Sequence, residues 1–127
     1  MTIYAIFTPN APTPGGHYSQ AIVHNDLIYV AGQLPIDPAT GNAISGDMTT
    51  QATLVLQNIQ HILQAANSDL SHLLKVTVYV SNIEFWGEFN RVYAKMMGTH
   101  KPARAVVPTN DLHYGCLLEI EAIACVK

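Results

Sequence analysis

The chain has 127 residues, 49% of them hydrophobic and 12% charged, with six Lys and Arg against nine Asp and Glu for a formal net charge of -3. A chain of this length builds one domain with a real core, so the whole of 1–127 is read as a single unit. Its few cations, Lys75, Arg91, Lys95, Lys101, Arg104 and Lys127, form no cluster that would track a nucleic acid, and no apolar run approaches the ~18 residues of a membrane span.

The start, "MTIYAIFTPNAP", lacks the basic stretch of a secretory signal, so the expectation is a soluble, untargeted, cytoplasmic protein. "IYAIF" is β-rich and precedes "TPNAPTPGGHYSQ", whose three prolines and two glycines read as an irregular loop. "AIVH" and "LIYVAG" flank Asn25 and Asp26, the pattern of a β-hairpin. A loop with its own "DPATG" turn follows, and Asp47 or Thr49 is placed to cap a helix.

That helix carries Ala52, Val55, Leu56, Ile59, Ile62, Leu63 and Ala66 at the spacing of one buried stripe, with Gln51, Gln57, Gln60, His61 and Gln64 on its other face. Asn67 stands where a left-handed residue ends a helix. Beyond it Lys75, Thr77 and Tyr79 alternate with Val76, Val78 and Val80, which predicts a strand. A second helix is expected from about Ile83, with Phe85, Phe89, Val92, Tyr93, Met96 and Met97 on one side and Gly98 as the stop. "ARAVV", the connection "PTNDLHYG" and a long strand "CLLEIEAIACV" complete the chain. Cys116 and Cys125, nine residues apart in that last strand, lie beyond disulfide reach and are read as free thiols. The six histidines show no tight metal-binding spacing, so no metal is expected.

The order β-ββ-α-β-α-ββ predicts an α+β fold with both helices on one face of a sheet. "LIYVA" is apolar on both alternations, Leu27, Tyr29 and Ala31 against Ile28 and Val30, so the face without helices also wants cover. The expectation is a homo-oligomer packed sheet on sheet.

Period-two alternation sets Glu119 and Glu121 opposite Leu118, Ile120 and Ala122, which directs both carboxylates away from the helices and into that interface. If "ARAVV" and "CLLEI" pair around a turn centred near Asp111 and Leu112, Arg104 lies opposite Glu119 on one face. Two readings of the pair then stand. Spacing alone favours a structural ion pair, whereas the sharper reading makes Arg104 a clamp for a substrate carboxylate and Glu119 a base that holds water. Glu121 carries the same ambiguity. His17 and Tyr18 in "GGHYSQ", Asn90 in the second helix and the "AGQ" stretch from Ala31 to Gln33 have plainer readings as turn, solvent-facing residue and bulge, and Cys116 as a packing thiol.

Taken in order, "GGHYSQAI", "AGQLPIDPATG", "QATLVLQNIQHIL", "KVTVYVSNIEFWGEFNRVYAKMM", "KPARAVV" and "LLEIEAIA" resemble the reactive intermediate deaminase family, also called Rid or YjgF-like, in its RidA-like branch. The resemblance runs along nearly the whole chain. It implies a chorismate-mutase-like α+β fold, a mostly antiparallel sheet, and a homotrimer with sites in clefts between subunits. It implies cofactor-free hydrolysis of enamines and imines such as 2-aminoacrylate, 2-iminopropanoate and 2-iminobutanoate to the 2-keto acid and ammonia. By position, Arg104 would bind the substrate carboxylate and Glu119 would orient or activate water, with Tyr18, Asn90 and the backbone of Ala31 and Gly32 around them. Four departures touch specificity: His17 replaces the proline of "GPYSQ", Ala31 the serine of "SGQ", Val106 a cysteine, and "LHYG" with His113 and Tyr114 an "LP" turn. His17 is a candidate to supply the polar group lost at Ala31. A second reading is a non-catalytic homotrimer that binds small carboxylic acids as a sensor or partner protein. Ribonuclease activity, also attached to the family, is disfavoured by the scarcity of cations.

Overall fold

The computed structural model describes residues 2–127, so residue 1 of the predicted 1–127 domain lies outside the described residues. Among these are strands β1 (Ile3–Ile6), β2 (Ala21–His24), β3 (Leu27–Gln33), β4 (Leu73–Val80), β5 (Ala103–Pro108) and β6 (Leu118–Cys125), with helices α1 (Met48–Ala65) and α2 (Trp86–Met97). They form one sheet in the order β1-β2-β3-β6-β4-β5. Only the β4–β5 pair is parallel, because α2 carries the chain from one to the other as a crossover. No helix among the described residues is long and apolar enough to cross a membrane.

The predicted pairing of β5 with β6 does not occur. β6 runs antiparallel between β3 and β4, while β5 is left at the edge. The physical reason lies in composition: β6 is apolar enough for a central position, whereas β5 carries Arg104 and ends on Pro108, which suits an edge. Register follows from this. Arg104 pairs with Val76, and Glu119 pairs with Tyr79. Val76, Val78 and Val80 are buried under the helices together with Leu118, Ile120 and Ile28. Arg104 therefore shares the helix face, and Glu119 projects from the other.

The core between sheet and helices is built on the α1 stripe of Ala52, Val55, Leu56, Ile59, Ile62 and Leu63, all fully buried. Asp47 caps α1 by accepting the Thr50 N–H at 2.9 Å. The far end closes through Asn67, whose φ of 58° is left-handed, with the Ser68 N–H donating to the Leu63 carbonyl at 2.8 Å. Gln51, expected on the solvent side, is buried: its Nε2 donates to the Gly46 carbonyl at 3.0 Å and its Oε1 accepts the Leu117 N–H at 2.9 Å. It ties α1 to the chain entering β6. The segment from Ile83 begins with one tight turn, Ile83–Phe85, capped by Asn82, before α2 proper. α2 stops at Gly98, whose φ of 65° is also left-handed. Cys116 precedes β6 and is buried, and both cysteines are free.

The alternate residues, including Tyr29, Thr77, Tyr79, Glu119, Glu121 and Ile123, point to the side without helices. Tyr29 lies beside Ile123 and is 43% exposed, and the Tyr79 hydroxyl donates to Glu121 at 2.9 Å. Among the described residues no element covers this face.

Candidate active site in two halves

The first half is built on the edge strand. β5 turns the Arg104 side chain onto α2, where Nη1 donates to the Asn90 carbonyl oxygen Oδ1 at 2.9 Å. The guanidinium carbon lies 4.8 Å from the ring centre of Tyr93, 5.6 Å from Trp86 and 5.9 Å from Phe89. These distances are within the range of cation–π attraction, so rings and amide together fix the plane of the fork. Trp86, Phe89, Asn90 and Tyr93 recur at i, i+3, i+4 and i+7, one face of α2. Arg104 is half-buried and, among the described residues, has no carboxylate partner. A cleft of about 430 Å³ opens beside it, lined in part by Asn90, Tyr93, Met97, Lys101 and Arg104. The Tyr93 hydroxyl is buried with no hydrogen-bond partner among the described residues, and burial raises its pKa against the opposing pull of Arg104.

The second half is built on the other face. β3 bulges between Val30 and Gln33, and Gly32 lies in that bulge. A Cβ on Gly32 would collide with Glu119 Oε2, so glycine is what leaves room for the carboxylate there. Burial raises the Glu119 pKa; the charge of His113 works against this and that of Glu121 adds to it. Among the described residues no donor reaches the Glu119 carboxylate, which leaves it free to hold water.

Beside Gly32 a cleft of about 380 Å³ is walled by Tyr18, Gln20, Gln33, His113 and Tyr114. The Tyr18 hydroxyl accepts the Gly15 N–H at 3.1 Å, which folds the glycine loop back on its own aromatic ring.

Tyr18, Gly32, Asn90, Arg104 and Glu119 thus all stand at one half or the other. His17 is exposed and lies on neither cleft wall. The backbone of Ala31 is turned inward: its N–H donates to the Gln20 carbonyl at 2.9 Å and its carbonyl accepts Gln33 Nε2 at 3.2 Å. Val106 pairs with Val78 on the helix face, the side of Arg104. Asn90, whose plain reading was a solvent-facing residue, holds the guanidinium instead. Trp86 escaped the sequence reading, and Tyr93 was read only as core. Their helical spacing from Asn90 was the signal that marks them as one wall.

The expectation that Arg104 and Glu119 share a face is overturned. They stand on opposite faces of the sheet, so they form no ion pair and do not close on one small molecule within a single chain. Among the described residues no group of His, Cys, Asp or Glu is arranged to hold a metal ion.

Residues 8–126 match the family described as endoribonuclease L-PSP. A RutC family protein of Pyrococcus horikoshii is 48% identical over 119 residues, 94% of either chain. Among solved structures, the Rid family protein YyfA of Yersinia pestis superposes with a TM-score of 0.94 at 40% identity, covering 98% of this chain and 100% of that one. E. coli TdcF, solved with bound serine, superposes with a TM-score of 0.92 at 31% identity, covering 98% and 99%.

Proposed function

The chain belongs to the endoribonuclease L-PSP family, the same Rid/YjgF family its sequence blocks resemble, and from that premise we propose that it hydrolyses small enamines and imines to a 2-keto acid and ammonia. The substrates are 2-aminoacrylate and its tautomer 2-iminopropanoate, with 2-iminobutanoate one carbon longer. These are the compounds that pyridoxal-phosphate enzymes release in the cytoplasm.

One observation carries the reading: a half-buried arginine, locked by Asn90 at 2.9 Å and by an aromatic wall, that has no acid of its own among the described residues. Protein-internal pairing would have used its fork, and here the fork is left for a carboxylate from outside. The serine in E. coli TdcF is likewise a small molecule bearing a carboxylate next to a nitrogen-bearing carbon. The imine carbon is already electrophilic, so the chemistry asks for no cofactor. What remains is to hold the acid still and place water against it.

The two halves meet between chains. A homotrimer that covers the bare sheet faces and sets the β5 edge of one copy beside the Gly32 and Glu119 side of the next brings Arg104 and Asn90 of one against Tyr18, Gly32 and Glu119 of the other, and three such contacts close a ring. Glu119, whose pKa burial raises, then takes the proton of the attacking water more readily than an ordinary surface carboxylate.

The test is to generate 2-aminoacrylate or an imino acid in place with a dehydratase or an amino-acid oxidase and to follow ketoacid release. Wild type is expected to accelerate it, and Arg104→Ala to lose roughly thirtyfold or more in kcat/KM, the cost of leaving a carboxylate unpaired. Equal rates with wild type, variant and buffer would end the deaminase reading in favour of a protein that only binds acids. A stable monomer in sedimentation would end the shared cleft.

A further inference from the structure

Four of the six histidines are already engaged. His61 and His100 meet the carbonyls of Asn10 and Leu73 at 2.9 and 2.7 Å, His24 that of Thr2 at 3.4 Å, and His72 meets Asp69 at 3.0 Å. His17 is off both cleft walls. His113 is different: neither of its ring nitrogens has a protein partner among the described residues, and its side chain lines the cleft that holds Tyr18 and Gly32. It sits in the tight turn His113–Gly115, where Tyr114 and Gly115 take left-handed φ values of 61° and 69° in succession. The Tyr114 ring lies 5.8 Å from the imidazole. Gly32, on the same wall, is the residue against which the Glu119 carboxylate rests.

The geometry points to His113 as a second catalytic acid–base, paired with Glu119 across the reacting carbon. This deepens the deaminase reading and rests on it.

Hydrolysis of an imine moves two protons in each of two steps, and one carboxylate serves only one of them at a time. In the first step water oxygen bonds to C2 as Glu119 takes a water proton. The C=N π pair goes to nitrogen, which takes a proton from the His113 imidazolium. The product is a carbinolamine bearing OH and NH₂ on C2. In the second step Glu119 returns its proton to the NH₂ group, and the C–N bond breaks with its electron pair leaving on nitrogen as ammonia. The hydroxyl proton goes to His113, and the oxygen closes the C=O of the keto acid. Both side chains end as they began, and water is the only co-reactant. His113 lines the cleft and the Glu119 carboxylate rests against Gly32 in the wall of that cleft, both on one chain, so the pair is set before a second copy brings Arg104.

His113 lies in an exposed turn away from the core, so its variants are expected to fold. The experiment compares wild type, Arg104→Ala, His113→Ala and His113→Gln as the assembled protein, with imine generated in place and imidazole added in steps. The expected result is a kcat about a hundredfold lower in both His113 variants with little change in KM, and recovery of His113→Ala, but not of Arg104→Ala, by imidazole. Wild-type turnover with kcat kept in His113→Ala would overturn the role of His113 alone. Loss of kcat that imidazole does not restore would do the same, since it would mark a structural turn residue. No turnover by wild type would overturn both this assignment and the deaminase reading.

Discussion

Glu119 lies partly sunk between Gly32 and the chain leading into β6, and that position costs it charge. Its pKa is raised above the ordinary 4.5, first by burial, with His113 opposing and Glu121 reinforcing. The sign for stability follows from linkage. Between the ordinary and the raised value the folded chain holds a proton that the unfolded chain has released, so stability falls as pH rises through that window and stays lower above it. Glu119→Gln removes the penalty. Urea unfolding at neutral pH should show a higher midpoint for the variant, and the difference should close below the ordinary carboxylate pKa. A midpoint lower than wild type at pH 7 would contradict the burial argument. Residue identities at this scale were open to sequence reasoning: Arg104, Glu119, Asn90, Tyr18 and Gly32 were all singled out. The face of Glu119 was legible too, since the alternation of β6 puts it opposite the buried Leu118 and Ile120. Its relation to Arg104 was not, because that depends on which strand lies next to which, and alternation within β5 and β6 carries no information about neighbours.

At the scale of elements, α1 shows which signals are local. Its stripe, its Asp47 cap and its left-handed Asn67 terminus are properties of a few consecutive residues, and each stands where the sequence puts it. Gln51 departs for the opposite reason. Its burial is decided by Leu117, which is distant in sequence and brought close only when β6 inserts between β3 and β4. Gln51→Ala removes the part-buried bonds to the Leu117 N–H and the Gly46 carbonyl, and should cost about 1–2 kcal/mol in denaturant unfolding. A loss within about 0.5 kcal/mol, as for an exposed substitution, would mean that water replaces both bonds. The insertion of β6 is also what the sequence withheld about the sheet. A connection such as "PTNDLHYG" permits a hairpin, and only competition for the central position, won by the more apolar strand, excludes it.

For the molecule as a whole, the two faces of the sheet have separate tasks. One is filled by α1 and α2. The other keeps Tyr29, Ile123 and Glu119 at the surface, as the apolar alternation of "LIYVA" led one to expect. That this face is apolar was legible in that alternation; what covers it was not, because a partner's position leaves no trace in one chain's pattern. The separation of Arg104 and Glu119 onto opposite faces has a consequence in genetic terms. If each cleft draws its clamp from one copy and its base from the next, two inactive alleles complement each other. Arg104→Ala and Glu119→Gln chains, each strongly impaired as pure assemblies, should regain activity when co-expressed or mixed and reassembled. With random equal mixing, about one cleft in four receives an intact residue from both sides. Recovery near a quarter of the wild-type rate would locate each site at a junction between chains, and no recovery from well-mixed assemblies would confine it to one. A cell carrying both alleles would then be less impaired than a cell carrying either one alone.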